Sequence, residues 1–269
     1  MFVDHHFAGC LWRCPPRFHS LTALQWWIQP ALIDGPRLPN EGKMHSVYYN
    51  DKQINKLATD GQHRAIIGGM WEEMGELQLD ILQKHGLKPE HKLLDIGCGS
   101  LRLGTKAVPY LNPGNYWATD LVEALMDAGY QKEIIPLGLQ ERLPRSNLVQ
   151  DAEFTFEGVP RRFDYIIAQS VFTHLPLNHL RHCLARLANH LEGSAIFLFT
   201  VFEAEPGTAP DGPSKQSRGP ITTYPHKDPF HLCEDDLTHI GRGLPWTIDF
   251  IREWDHPRNQ KLVMAKLRS

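Results

Sequence analysis

The sequence predicts an α/β fold, a mostly parallel sheet with helices on both faces and a reversed last strand. Three observations predict it. From about Gln53 onward, short apolar runs alternate with helix-length segments; the first run ends in a glycine turn, Asp95-Ile96-Gly97-Cys98-Gly99; and the last two runs are joined by Arg252 to Gln260 alone. That connection is too short for a helical crossover but ample for a hairpin-like return, so the sheet should close on an antiparallel strand.

The elements follow in order. Residues 1–50 form an N-terminal extension in which prolines at 15, 16, 30, 36 and 39 interrupt any long helix, while Trp12, Trp26 and Trp27 are too apolar for a free linker. The segment is expected to pack as a lid or a partner surface, and residues 51–269 to form the main domain. Trp71 to Lys84 has Leu77, Leu79, Ile81 and Leu82 in a helical window that stops at His85 and Gly86. Lys92 to Ile96 reads as a strand, followed past the glycine turn by a helix over Leu101 to Leu111 that ends at Asn112-Pro113-Gly114. Tyr116 to Thr119 is the second strand, ending at Asp120 before a helix over Val122 to Gln131. Further strands are predicted at Asn147 to Gln150, Asp164 to Ala168, Ser194 to Val201, Trp246 to Ile251 and Lys261 to Ala265, with a helix over Leu177 to Leu191. Glu203 to His231, rich in Pro, Gly and Ser, is longer than a structural connection usually runs and reads as a lid or substrate wall carrying Tyr224, His226 and His231.

Composition bounds the function. With 269 residues, 42% hydrophobic and 22% charged, the chain is an ordinary globular protein that can carry its own core, not a coiled coil, a collagen or a wholly disordered chain. Its longest strongly apolar stretches, such as Ala195 to Phe202, fall far short of the roughly 20 residues of a membrane span. A net charge of −3 supplies no field for polyanions, which disfavours nucleic acid as a partner. The five cysteines, Cys10, Cys14, Cys98, Cys183 and Cys233, include no CxxC pair, and the N-terminus lacks signal-peptide character, so a reducing cytoplasmic setting is expected. The spacing of His5, His6, Cys10, Cys14 and His19 fits no zinc pattern, and no metal is assigned.

The chemistry concentrates at strand ends. Gly97 and Gly99 let a ligand approach the backbone before a helix begins, which points to a nucleotide-like molecule. The dinucleotide fingerprint would want a third glycine where this chain has Arg102, which weakens a nicotinamide-dependent oxidoreductase as the alternative. Asp120 ends the next strand, where a carboxylate can accept hydrogen bonds from both ribose hydroxyls or cap the helix that follows.

With these motifs the chain resembles the class I S-adenosylmethionine-dependent methyltransferases. Asp95-Ile96-Gly97-Cys98-Gly99 matches their first motif and Asp120 their ribose-binding acid, while Gln150-Asp151-Ala152-Glu153 is similar to their adenine-contacting segment. Phe163 to Pro176, with Gln169-Ser170 and His174, is similar to the fourth-motif region of the small-molecule members. The resemblance implies a seven-stranded Rossmann-like sheet and S-adenosylmethionine as cofactor, held by Asp95, Gly97, Cys98, Gly99, Asp120, Leu121, Asp151, Ala152, Gln169 and Ser170. It also places Trp71, in Gly68-Gly69-Met70-Trp71, near the methionine end. Methylases of base amino groups carry an Asn/Asp-Pro-Pro-aromatic run where this chain has Gln169-Ser170-Val171-Phe172, so a small-molecule acceptor methylated on O or N is expected. His174 is the candidate base, with a helix-capping role as its structural counterpart. A non-catalytic scaffold on the same fold is the remaining alternative, and a homodimer is compatible with either.

Overall fold

The computed structural model describes Ile54, Ala58 and residues 60–268; the expectations for residues 1–50 lie outside the described residues. Two short helical pieces come first, α1 (His63–Ile66) and then α2 (Trp71–Lys84). In α2, Met74, Gln78, Ile81 and Leu82 recur at three- and four-residue spacing and form the buried stripe, and Glu72 and Glu73 lie in the first turn, where the dipole favours acids. Gly86, at φ +99°, ends it where the sequence predicted.

Strand β1 (Leu93–Ile96) and α3 (Gly104–Tyr110) flank the glycine turn. The helix starts three residues later than the sequence suggested, because Leu101 adopts a left-handed φ of 67°. Then follow β2 (Tyr116–Asp120) and α4 (Glu123–Gly129), which widens into a π turn over Tyr130–Ile134. Next come β3 (Leu148–Gln150), β4 (Tyr165–Ala168), α5 (Leu177–His190) and β5 (Ile196–Glu203). Beyond β5 the stretch expected to be a bare loop contains paired structure: β6 (Ser214–Lys215) and β7 (Thr222–Thr223) form a small antiparallel pair, and β8 (His231–Leu232) runs parallel to the end of β5. The chain closes with α6 (Glu234–Gly241), β9 (Trp246–Arg252) and β10 (Lys261–Leu267).

The seven long strands lie in the order β3-β2-β1-β4-β5-β10-β9. All neighbours from β3 to β5 pair in parallel, and β10 runs antiparallel to both β5 and β9. β1 and β4 are buried along their whole length, as strands covered on both faces must be. On one face Phe172, Phe197, Phe199 and Trp246 pack with α5 and α6; on the other Leu82, Leu101, Val108 and Tyr116 pack with α2 and α3. The order reverses at β1, with β2 on one side and β4 on the other, so the crevice at the C-terminal ends of these strands is where such a sheet binds ligands.

Candidate active site

A cavity of about 130 Å³ occupies that crevice. Its walls include Asp95, Gly97, Cys98 and Gly99 from β1 and the following turn, Asp120 and Leu121 after β2, Asp151 and Ala152 after β3, and Gln169, Ser170 and His174 after β4. The sheet thus brings together His174 and every cofactor-contacting residue implied by the resemblance except Trp71. The Trp71 indole lies instead beneath the Arg64 guanidinium, 4.7 Å from its ring centre, and edge-on to His63. Position alone in the sequence could not reveal that α2 turns its first residue this way.

The glycine turn is shaped by close approach. Gly97 and Gly99 have φ of 69° and 56°, and a Cβ at either would lie 2.4 Å from the Val171 side chain or 2.6 Å from that of Ile67. Both neighbours line the cavity, so the room the glycines give up is shared between the ligand crevice and these two side chains.

Asp120 spans the turn. One carboxylate oxygen accepts the Gly99 N–H at 2.7 Å and the other the Val122 N–H at 2.8 Å. A carboxylate offers about four acceptor positions, so these two bonds leave room for the pair of hydroxyls expected there. Burial pushes its carboxyl above the usual range, against those hydrogen bonds. Asp95 is deeper. Burial raises it to about 7, although the Tyr116 hydroxyl donates to it at 2.6 Å, and the neighbouring Asp120 adds to the rise.

Asp151 also organises its own loop. Its carboxylate accepts from the Glu153, Thr155 and Phe156 N–H groups and from the Thr155 hydroxyl, all between 2.8 and 3.3 Å. Three of these bonds end on Oδ1 and one on Oδ2, so the carboxylate folds the 151–156 loop while Oδ2 keeps an acceptor position at the cavity wall.

Gln169 and Ser170 belong to a buried polar network. The Arg102 guanidinium donates to Gln169 Oε1 at 2.7 Å and to the Gly69 carbonyl at 3.0 Å. Gln169 and Gln260 each donate to the Ser170 hydroxyl, whose backbone N–H donates to Thr200 Oγ1 at 2.8 Å. Ser170 holds φ at 60°, a sparsely populated conformation for a side-chain-bearing residue, at the end of β4. Arg102 replaces the missing third glycine and anchors the wall there. Its departure from the fingerprint was the sequence signal that could have found it.

His174 has a partner the sequence did not reveal. Its Nδ1 lies 2.7 Å from Asp228 Oδ1. A carboxylate can only accept, so Nδ1 carries the proton of this hydrogen bond and Asp228 fixes the orientation of the ring. Asp228 lies 54 residues away, in the long connection. Tyr224, His226 and His231, expected in a substrate wall, do not line this cavity; Tyr224 lies under the Lys227 ammonium at 4.1 Å.

The segment between α1 and α2 closes one side. Ile67 lines the cavity, Arg258 donates to the Gly68 carbonyl at 2.6 Å, and the Ser100 hydroxyl donates to the His63 carbonyl at 3.0 Å. At its other end, Glu133 meets His63 Nε2 and Arg64 at 2.7 Å each. Burial would raise the Glu133 carboxyl, but the Arg64 and His63 hydrogen bonds outweigh it and hold the group below the ordinary value. Among the described residues no cluster of metal-ligating side chains occurs, and no helix is long and apolar enough to cross a membrane.

Residues 94–197 match a family described as a methyltransferase domain. Among solved structures, the fold is similar to magnesium protoporphyrin IX methyltransferase from Synechocystis, with 15% identity, 82% of this chain and 96% of that chain covered, and a TM-score of 0.54. It is similar also to an S-adenosylmethionine-dependent methyltransferase from Clostridium acetobutylicum, with 14% identity over 81% of this chain and 100% of that one, and a TM-score of 0.55. A third is an amino pentose methyltransferase from Micromonospora echinaspora, with 14% identity over 80% and 97%, and a TM-score of 0.52. At such identities the likeness is one of fold.

Proposed function

We propose, for a chain that carries a methyltransferase domain on the class I S-adenosylmethionine-dependent fold, that it transfers the methyl group of S-adenosylmethionine to an oxygen or nitrogen of a small molecule. The observation that carries this reading is the meeting of Asp120, the Gly97–Gly99 turn and the His174–Asp228 pair around one crevice. The residues fit the cofactor. Asp120 keeps acceptor positions for the ribose hydroxyls, and Asp95, buried and readily protonated when alone, is stabilised as a carboxylate by a cationic amino acid end. The cofactor supplies a methyl carbon made electrophilic by sulfonium charge.

The chain's own residues do the rest. The Gln169–Ser170 network fixes the wall after β4, and Ile67 covers one side of the crevice. His174 Nε2 takes the proton of a hydroxyl or protonated amine, and Asp228, accepting from Nδ1, orients the ring and steadies its positive charge. A small acceptor is supported by the mild net negative charge and by the missing Pro-Pro-aromatic run; the aminosugar methylated by one structural neighbour belongs to the same broad class.

Calorimetry with S-adenosylhomocysteine tests the binding half. Wild type should give a saturable heat, and Asp120→Asn, which keeps an acceptor but removes the charge, should weaken it at least tenfold. A flat isotherm at millimolar ligand would sink the reading. With an acceptor found by screening metabolite fractions with labelled methyl donor, His174→Ala should lower kcat by about 10²–10⁴ while leaving homocysteine-adduct affinity intact.

A further inference from the structure

A second cavity of about 480 Å³ lies beside the first, and Leu175 lines both. Its size falls in the roughly 300–1,000 Å³ range of small-molecule sites. It opens between the start of α5, the end of β5 and the chain around β8. Phe172, Leu180, Val201, Phe202 and Phe230 make most of its wall, and Thr208, His231, Cys233 and Asp236 supply its polar atoms.

The wall between the cavities carries the base. His174 lines the first cavity and Leu175 both, while Pro225 and Phe230, on either side of Asp228, line the second. The Phe230 N–H donates to the Thr173 carbonyl at 2.8 Å, so the loop bearing Asp228 is tied along the segment bearing His174.

We propose that this second cavity takes the acceptor, and that the acceptor is an uncharged molecule with an apolar, aromatic-sized body whose hydroxyl or amine meets the His174–Asp228 pair. The inference rests on the methyl-transfer reading and names its substrate class. Charge supports it: no Lys or Arg lines the cavity among the described residues, Asp236 contributes a carboxylate, and burial lowers the His231 pKa, so nothing there would compensate a phosphate or carboxylate. His231 Nδ1 is engaged with Thr223 Oγ1 at 2.9 Å, and Asp236 accepts the Cys233 N–H at 2.8 Å, which leaves the apolar wall as the main source of affinity.

The test uses the full chain saturated with S-adenosylhomocysteine and two fluorescent probes, 2-naphthol and the anionic 2-naphthoate. Ala204→Phe fills the cavity from just beyond β5, and Ala209→Trp fills it from an exposed loop position that folding should tolerate. Uptake of 2-naphthol in the presence of S-adenosylhomocysteine is expected, at least tenfold tighter than 2-naphthoate. It should weaken at least tenfold in either folded variant, with S-adenosylhomocysteine affinity unchanged within twofold. The inference is overturned if wild type takes up no 2-naphthol, if both probes bind equally, if S-adenosylhomocysteine competes with the probe, or if both variants bind as wild type does. Failure of wild type to bind S-adenosylhomocysteine at all would instead overturn the methyl-transfer reading.

Discussion

Asp95 shows what one buried side chain costs and signals. Its carboxyl, raised by burial to about 7, holds a proton in the folded chain that the unfolded chain gives up near pH 4. Its contribution to stability is complete below about pH 4 and is lost as pH rises to about 7, by up to about 1.4 kcal/mol per unit. His256 acts in the opposite sense. Burial, with the Arg258 and Arg102 charges, lowers it to about 3, so its contribution is present above about pH 6.5 and is lost as pH falls. Denaturant titrations of wild type and Asp95→Asn from pH 5 to 8 separate the two: the difference in stability between them should grow with pH in favour of the variant, and a pH-independent difference would contradict the assignment. At this scale the sequence was readable for Asp95, Asp120 and His174, whose neighbours in the chain form motifs. It was silent on Asp228, Gln78 and Arg258, because their roles come from contacts between segments far apart in the chain.

Among the elements, α4 is fitted most tightly to the site. Gly129 is helical, yet a Cβ there would lie 2.2 Å from the Ser100 carbonyl oxygen and 2.5 Å from its carbon, so the helix rests directly on the backbone after the glycine turn. Gly129→Ala should cost about 1–3 kcal/mol through overpacking and should weaken S-adenosylhomocysteine binding by displacing the turn. Gly138→Ala is the control: φ is +70° but nothing lies within 4 Å, so thermal stability should fall without loss of ligand affinity. Melting curves and calorimetry on the two variants check the pair. The principal strands and helices were legible because their apolar runs have clear periods and glycine stops, as at Gly86. The late start of α3 was not, since the left-handed Leu101 has no signature in its side chain. Nor were β6, β7 and β8, two-residue strands that exist only through partners elsewhere.

Across the whole molecule, the strand order places the reversal next to β1, and everything that recognises a nucleoside follows from that one topological fact. A ligand held there stabilises the entire sheet by mass action. At a hundredfold excess over Kd, S-adenosylhomocysteine should add about 2.7 kcal/mol, which for a chain of this size is a rise in Tm of about 5–11 °C. NAD at equal concentration should leave Tm unchanged, because Arg102 fills the place of the dinucleotide glycine. The pin of His63 and Arg64 on Glu133 has a kinetic consequence. Ile67, on the segment next to this pin, forms part of the crevice wall. A donor leaving past Ile67 would have to displace the segment that this pin holds. Glu133→Gln should hasten the escape of S-adenosylhomocysteine several-fold in stopped-flow displacement traces, and an unaltered off-rate would show that the traffic runs by another route.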